Sequence, residues 1–106
     1  MTDILKSLEL TILQRRDAEP EQSYVASLRA KGRAKMAEKL GEEAVEAVIA
    51  AVQDDKASMT GEAADVLFHL MVLLADMDLS LDDVIAELAR REGLSGLEEK
   101  AARGAN

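Results

Sequence analysis

Two pairs of acidic residues, Glu43-x-x-Glu46 and Glu62-x-x-Asp65, recur on consecutive stretches of helical periodicity, and the second pair opens an otherwise apolar run. A step of three residues on an α-helix turns through about 300°, so the members of each pair share a face with Cβ atoms about 5–6 Å apart. Helices packed side by side along these faces bring four carboxylates together. Like charges in a partly dry site repel, and burial raises their pKa values until some hold protons. A divalent cation removes that conflict. Oxygen ligation, with no Cys and a single His in the chain, favours Mg²⁺ or Mn²⁺ over zinc. Such ions keep waters and open positions, which suits phosphate substrates.

The chain has 106 residues, enough for one domain spanning 1–106 with a single core, and small enough that self-association would help it bury apolar surface. It is rich in Ala, Leu, Glu, Asp, Lys and Arg, with one Pro and only Tyr24 and Phe68 as aromatics, a composition that predicts an all-α bundle. A formal net charge of −8 argues against general binding to nucleic acid or anionic membrane. A small anionic substrate remains compatible if a cation or a local basic cluster reverses the field. Without cysteine there is neither a disulfide framework nor a thiol nucleophile, and the compartment is expected to be cytoplasmic. No charged-then-apolar leader opens the sequence, and the uncharged run Val66 to Ala75 is about half a membrane span, so it reads as a buried helix.

Along the chain, Ile4, Leu5, Leu8, Ile12 and Leu13 form a stripe that predicts a helix over 2–17, ended by charges and Pro20. A short helix over 23–30 follows with Ser23 as N-cap, and Lys31-Gly32-Arg33 reads as a break. The third helix is placed at 34–53, with Val45, Val48, Ile49 and Val52 as its apolar face and Lys35, Lys39, Glu42, Glu43 and Glu46 as its charged one. A polar loop over 54–60 precedes a helix over 61–76 that carries Glu62, Asp65 and His69 on one stripe and is expected to be buried nearly all round. Ser80-x-x-Asp83 predicts a capped helix over 81–91 ended by Gly93, and 95–103 reads as a short docked helix.

Each candidate has a plainer reading. Glu43 and Glu46 fit a solvated face paired with Lys39, and Glu62 fits a charge favoured at a helix start. Asp65 resists such a reading because it sits one turn in, beside Val66 and Leu67, where an unpaired buried carboxylate is costly. His69, four residues on, reads as a packed residue or as a support for the site before it reads as a metal ligand. Lys35 and Lys39 suit either phosphate oxygens or pairing with Glu42, Glu43 and Glu46. The methionines read as core filler or loop.

Taken together, Lys35, Lys39, Gly41-Glu42-Glu43-x-x-Glu46, Glu62-Ala63-Ala64-Asp65-x-x-x-His69-Leu70 and Leu79-Ser80-Leu81-Asp82-Asp83-Val84 resemble the phosphoribosyl-ATP pyrophosphohydrolases of histidine biosynthesis. Upstream Ser23-Tyr24, Leu28 and Lys31-Gly32 fit the same pattern, as does the tail Ser95-Gly96-Leu97-Glu98-Glu99-Lys100-Ala101 with Arg103. The acidic pairs alone indicate only the wider all-α nucleotide pyrophosphohydrolase superfamily. The resemblance implies Mg²⁺-dependent hydrolysis of phosphoribosyl-ATP to phosphoribosyl-AMP and pyrophosphate, by a homodimer of helical bundles of four to five helices whose partner subunit helps complete each site. It implies Glu43, Glu46, Glu62 and Asp65 as metal ligands, and Glu42 as a ligand or the group that orients or deprotonates the attacking water. Lys35 and Lys39 would face the triphosphate; His69 and Arg103 are candidates for a supporting or substrate-facing place. Val45 stands where the family often has Thr, and no cyclohydrolase domain precedes this chain as in some fused relatives, so the next step is expected to fall to another protein.

Two other functions are compatible with the residues alone. One is a housecleaning pyrophosphohydrolase acting on noncanonical nucleoside triphosphates, separated by substrate competition. The other is a noncatalytic helical dimerisation module, which predicts no stabilisation by metal and nucleotide.

Overall fold

The computed structural model describes residues 2–92 and 96–104, and among them it has six helices and no strand. They are α1 (Thr2–Arg15), α2 (Tyr24–Lys31), α3 (Arg33–Val52), α4 (Lys56–Asp76), α5 (Leu81–Arg91) and α6 (Gly96–Arg103). The all-α bundle is as predicted, with six helices among the described residues rather than four to five. Gly93 and Ser95 lie outside the described residues.

Local chemistry sets most of the boundaries. Ser23 accepts a hydrogen bond from the Ala26 N–H at 3.2 Å and starts α2. Gly32, at φ 100°, takes a backbone conformation that side chains rarely allow, and turns the chain directly from α2 into α3. Ser80 and Asp83 form a reciprocal capping box, with the Asp83 N–H donating to Ser80 Oγ at 3.2 Å and the Ser80 N–H to Asp83 Oδ2 at 2.8 Å.

One boundary differs from the sequence reading. The polar stretch expected as a loop over 54–60 is mostly helix: the turn is 53–55, and Asp55 caps α4 at Lys56. Its carboxylate accepts from the Ser58 N–H at 3.1 Å and the Ser58 hydroxyl at 2.8 Å, which outweighs the modest helix propensity of Ser58, Thr60 and Gly61. The tight turn folds α3 and α4 into a helical hairpin, the most extensive helix–helix contact in the chain.

The core comprises Ile12 of α1, Val25, Ala26 and Leu28 of α2, Met36 and Ala50 of α3, and Met71, Val72 and Ala75 of α4. Leu5, Leu8, Phe68, Leu73 and Leu81 pack around it. Arg33 clamps the end of α4, donating to Asp76 Oδ2 at 2.8 Å and to the Asp76 carbonyl at 3.0 Å.

Burial shows one expectation corrected and one face left open. The apolar face of α3 is not covered within the chain: Val48 is 61% exposed and Val52 82%. Nor is α4 buried nearly all round, since Leu67 and Met59 are exposed and Leu70, Leu73 and Leu74 are half-buried. Its length and composition also fit a membrane-crossing helix, yet Glu62 and Asp65 within it, and the core residues at its end, mark it as the central helix of the fold. A radius of gyration of 15.9 Å exceeds the roughly 13 Å of a compact chain this long. The bundle is open along the side where α3 and α4 carry their apolar stripes.

Candidate functional site

The α3–α4 hairpin places the two acidic pairs across one groove. Carboxylate oxygens of Glu43, Glu62 and Asp65 lie within 4.8 Å of one another. In an octahedral Mg²⁺ shell, ligand oxygens about 2.1 Å from the ion are about 3 Å apart when adjacent and about 4.2 Å apart when opposite, so small side-chain adjustments bring all three onto one ion. Glu43 and Glu62 are half-buried and Asp65 is exposed, which corrects the expectation of a buried Asp65.

Glu46 joins the cluster through Glu43. A hydrogen bond between the two carboxyl groups, together with the negative charge of Glu43, raises the Glu46 pKa above its ordinary value; partial desolvation and Asp65 add to the shift, and Lys39 opposes it. Carboxylates this close repel one another, and a hard divalent cation between them would relieve the repulsion, so the donor set fits such an ion.

Glu42 is not brought into this group. It points to Lys39, whose ammonium donates to Glu42 Oε1 at 3.2 Å. That bond, then the Glu42 charge, then the nearby Tyr24 phenol raise the Lys39 pKa and keep it cationic. Lys35, one turn earlier on the same face, lies 3.5 Å from Glu38. The groove therefore has a cationic end at Lys35 and Lys39 and an acidic middle. Beyond the acids a cleft of about 260 Å³ is lined by Glu46, Ile49, Ala50, Gln53, Asp55, Ser58 and Glu62. Sequence reading did not find this cleft, because it depends on α4 starting at Lys56.

His69 is buried, at 5% exposure, and both ring nitrogens are engaged. Nδ1 lies 2.8 Å from the Asp65 carbonyl, which only accepts, so Nδ1 carries the hydrogen. Nε2, 3.0 Å from the Tyr24 hydroxyl, is then the acceptor of the neutral ring, and Tyr24 donates to it. This leaves His69 no lone pair for a metal. Tyr24 also stacks on Phe68, with centroids 6.1 Å apart and planes inclined by 20°. The link between α2 and α4 had no local signal, because Tyr24 and His69 are 45 positions apart. Arg103 ends α6, with its side chain exposed.

Comparison with known proteins agrees with the geometry. The family model for phosphoribosyl-ATP pyrophosphohydrolase matches residues 5–92. A phosphoribosyl-ATP pyrophosphatase of Rhizorhabdus wittichii is 64% identical over 103 residues, covering 97% of this chain and 97% of that protein. Proteins of the same name from Erythrobacter litoralis and Dinoroseobacter shibae are 61% and 58% identical over 100 residues, each spanning 94% of this chain and 96% and 98% of their own lengths. With its acidic groove and a match running through nearly every helix, the chain belongs to the phosphoribosyl-ATP pyrophosphohydrolase family.

Proposed function

We infer that this chain hydrolyses phosphoribosyl-ATP to phosphoribosyl-AMP and pyrophosphate, the histidine-pathway step for which its relatives are named. The observation that carries the reading is the convergence of Glu43, Glu62 and Asp65 within 4.8 Å, with Glu46 lining the adjoining cleft together with Glu62. Glu43, Glu46, Glu62 and Asp65 would hold Mg²⁺, with Mn²⁺ as a substitute. When bound, the ion neutralises phosphate charge and helps place the attacking water.

The rest of the chemistry falls to the chain's own side chains. Lys39 and Lys35 meet phosphate oxygens at the cationic end of the groove. Water adds to one phosphorus of the α–β anhydride, the bridging P–O bond breaks, the group on its far side leaves (pyrophosphate or phosphoribosyl-AMP, according to which phosphorus is attacked), and a carboxylate takes the water's proton. Glu42 suits that last role: it lies outside the ligand cluster, and a phosphate that takes over Lys39 leaves it an uncompensated acceptor. No covalent nucleophile is required.

The reading includes a homodimer. The exposed stripe Val45, Val48, Ile49 and Val52 on α3, with Leu67 on α4, flanks the acidic groove and is what a second copy would cover. A partner seated there would shield the carboxylates and close the site. We also place the enzyme in the cytoplasm, where its nucleotide substrate would be available.

The test is pyrophosphate release from phosphoribosyl-ATP with and without Mg²⁺, with ATP and deoxynucleoside triphosphates in parallel. Metal-dependent release from phosphoribosyl-ATP, lost in Glu46→Gln and Asp65→Asn proteins of native helicity, is the expected result. Preference for a simple nucleotide would move the chain to a housecleaning role. Absence of turnover, with no melting shift on adding metal and nucleotide, would favour a noncatalytic module.

A further inference from the structure

We infer that Tyr24 is the stacking platform for the purine base of the nucleotide bound in the groove, an assignment that rests on the function proposed above. The chain has two aromatic residues, Tyr24 and Phe68. Phe68 is half-buried, packed against the core and stacked on Tyr24. Tyr24, 50% exposed, is thus the aromatic ring with a face to offer.

That face is held still. Phe68 stacks on the ring, His69 meets it edge-on with centroids 5.8 Å apart, and the hydroxyl is fixed on buried His69. A surface ring already ordered in this way loses little further freedom when a ligand stacks on it. The same bond decides which part of Tyr24 is on offer: its proton is committed to Nε2, so the hydroxyl cannot donate to a phosphate. What remains is a π face, which recognises a base.

The position fits as well. His69, which holds Tyr24, stands one helical turn past Asp65 and bonds to its carbonyl, and Lys39 lies close enough to feel the phenol oxygen. The Tyr24 ring and the acidic cluster are thus joined through α4, with His69 four residues, about 6 Å along the helix axis, past Asp65, so a nucleotide whose phosphates lie on the cluster has Tyr24 beside it.

Tyr24 is the sole tyrosine and the chain has no tryptophan, so intrinsic emission reports this one ring. Titration of AMP into the wild-type protein, with absorption correction, is expected to quench that emission saturably, whereas pyrophosphate and ribose 5-phosphate leave it unchanged. In steady-state assays with phosphoribosyl-ATP, Tyr24→Leu is expected to have a KM about tenfold above that of Tyr24→Phe, which keeps the ring. The difference should fall on KM rather than kcat. Emission indifferent to AMP, equal KM values for the two variants, or emission that changes on dilution because a second copy covers the ring would each overturn the assignment. If wild-type protein fails to turn over phosphoribosyl-ATP at all, the function falls first; if turnover is normal and AMP leaves Tyr24 unaffected, only the stacking role falls.

Discussion

Replacing Val48 by aspartate tests whether the open face of the hairpin is a dimer interface. Val48 is 61% exposed, so the isolated fold gains little from it and Val48→Asp should keep native helicity. Full burial of a valine is worth about 1.5 kcal/mol, which makes the uncovered fraction worth about 1 kcal/mol in each copy. A carboxylate pressed into an apolar contact adds several kcal/mol per ion, or forces its protonation. Two copies together lose at least about 6 kcal/mol, a factor of about 10⁴ in dissociation constant. Sedimentation equilibrium across a concentration series reads this directly: wild type as a dimer, Val48→Asp as a folded monomer at the same loading. Pyrophosphate release should fall with the loss of the dimer and recover in part as the variant is concentrated. A Val48→Asp protein that remains dimeric with wild-type affinity would refute the placement of the interface on α3.

Three further outcomes follow from particular bonds. His69→Gln keeps an acceptor near the Nε2 position and His69→Asn keeps only a donor near Nδ1, so emission anisotropy should show Tyr24 loosened in the Asn variant and held in the Gln variant; equal values would mean that the hydrogen bond does not fix the ring. Ser80→Ala removes one half of the capping box and should cost about 1 kcal/mol, lowering the melting temperature by about 4–8 °C; an unchanged melt would show that α5 contributes nothing to global stability. The Asp55 pKa is lowered by its bonds from the Ser58 N–H and hydroxyl, so its stabilisation is present above the unfolded value of about 4 and lost as pH falls through the lower folded value. The melting-temperature gap between wild type and Asp55→Ala should therefore be full at neutral pH and shrink in acid. A gap that widens on acidification would contradict the assigned sign.

What could be read from the sequence was what is local. The i, i+3 spacing of Glu43–Glu46 and Glu62–Asp65 fixes faces on helices, and the hairpin then had only to align them. Ser23 and Ser80 announced their helices because capping acts over three residues. The start of α4 escaped because Asp55 and Ser58 read equally well as loop or as cap. The Val45–Val52 stripe was legible as apolar but not its exposure, because no local signal says which helices cover a face; for the same reason Asp65, expected in a core, stands on the rim of a groove. The Tyr24–His69 bond joins α2 to α4 and has no periodic trace. Glu42, which the resemblance placed among the acids, is drawn instead to Lys39 at 3.2 Å by plain charge pairing.

The start of α5 is secured by α1 as well as by its own cap. The Leu81 N–H donates to Glu9 Oε2 at 2.7 Å, 72 positions earlier in the chain, and Lys6 pairs with Asp82 at 2.8 Å. None of the residues of α5 is buried, so this clasp and the packing of Leu81 anchor one end of a helix that otherwise lies on the surface. The amino-terminal turns thus serve as a latch for a distant arm. Trimming them, or hanging a fusion partner from them, would be felt first in α5.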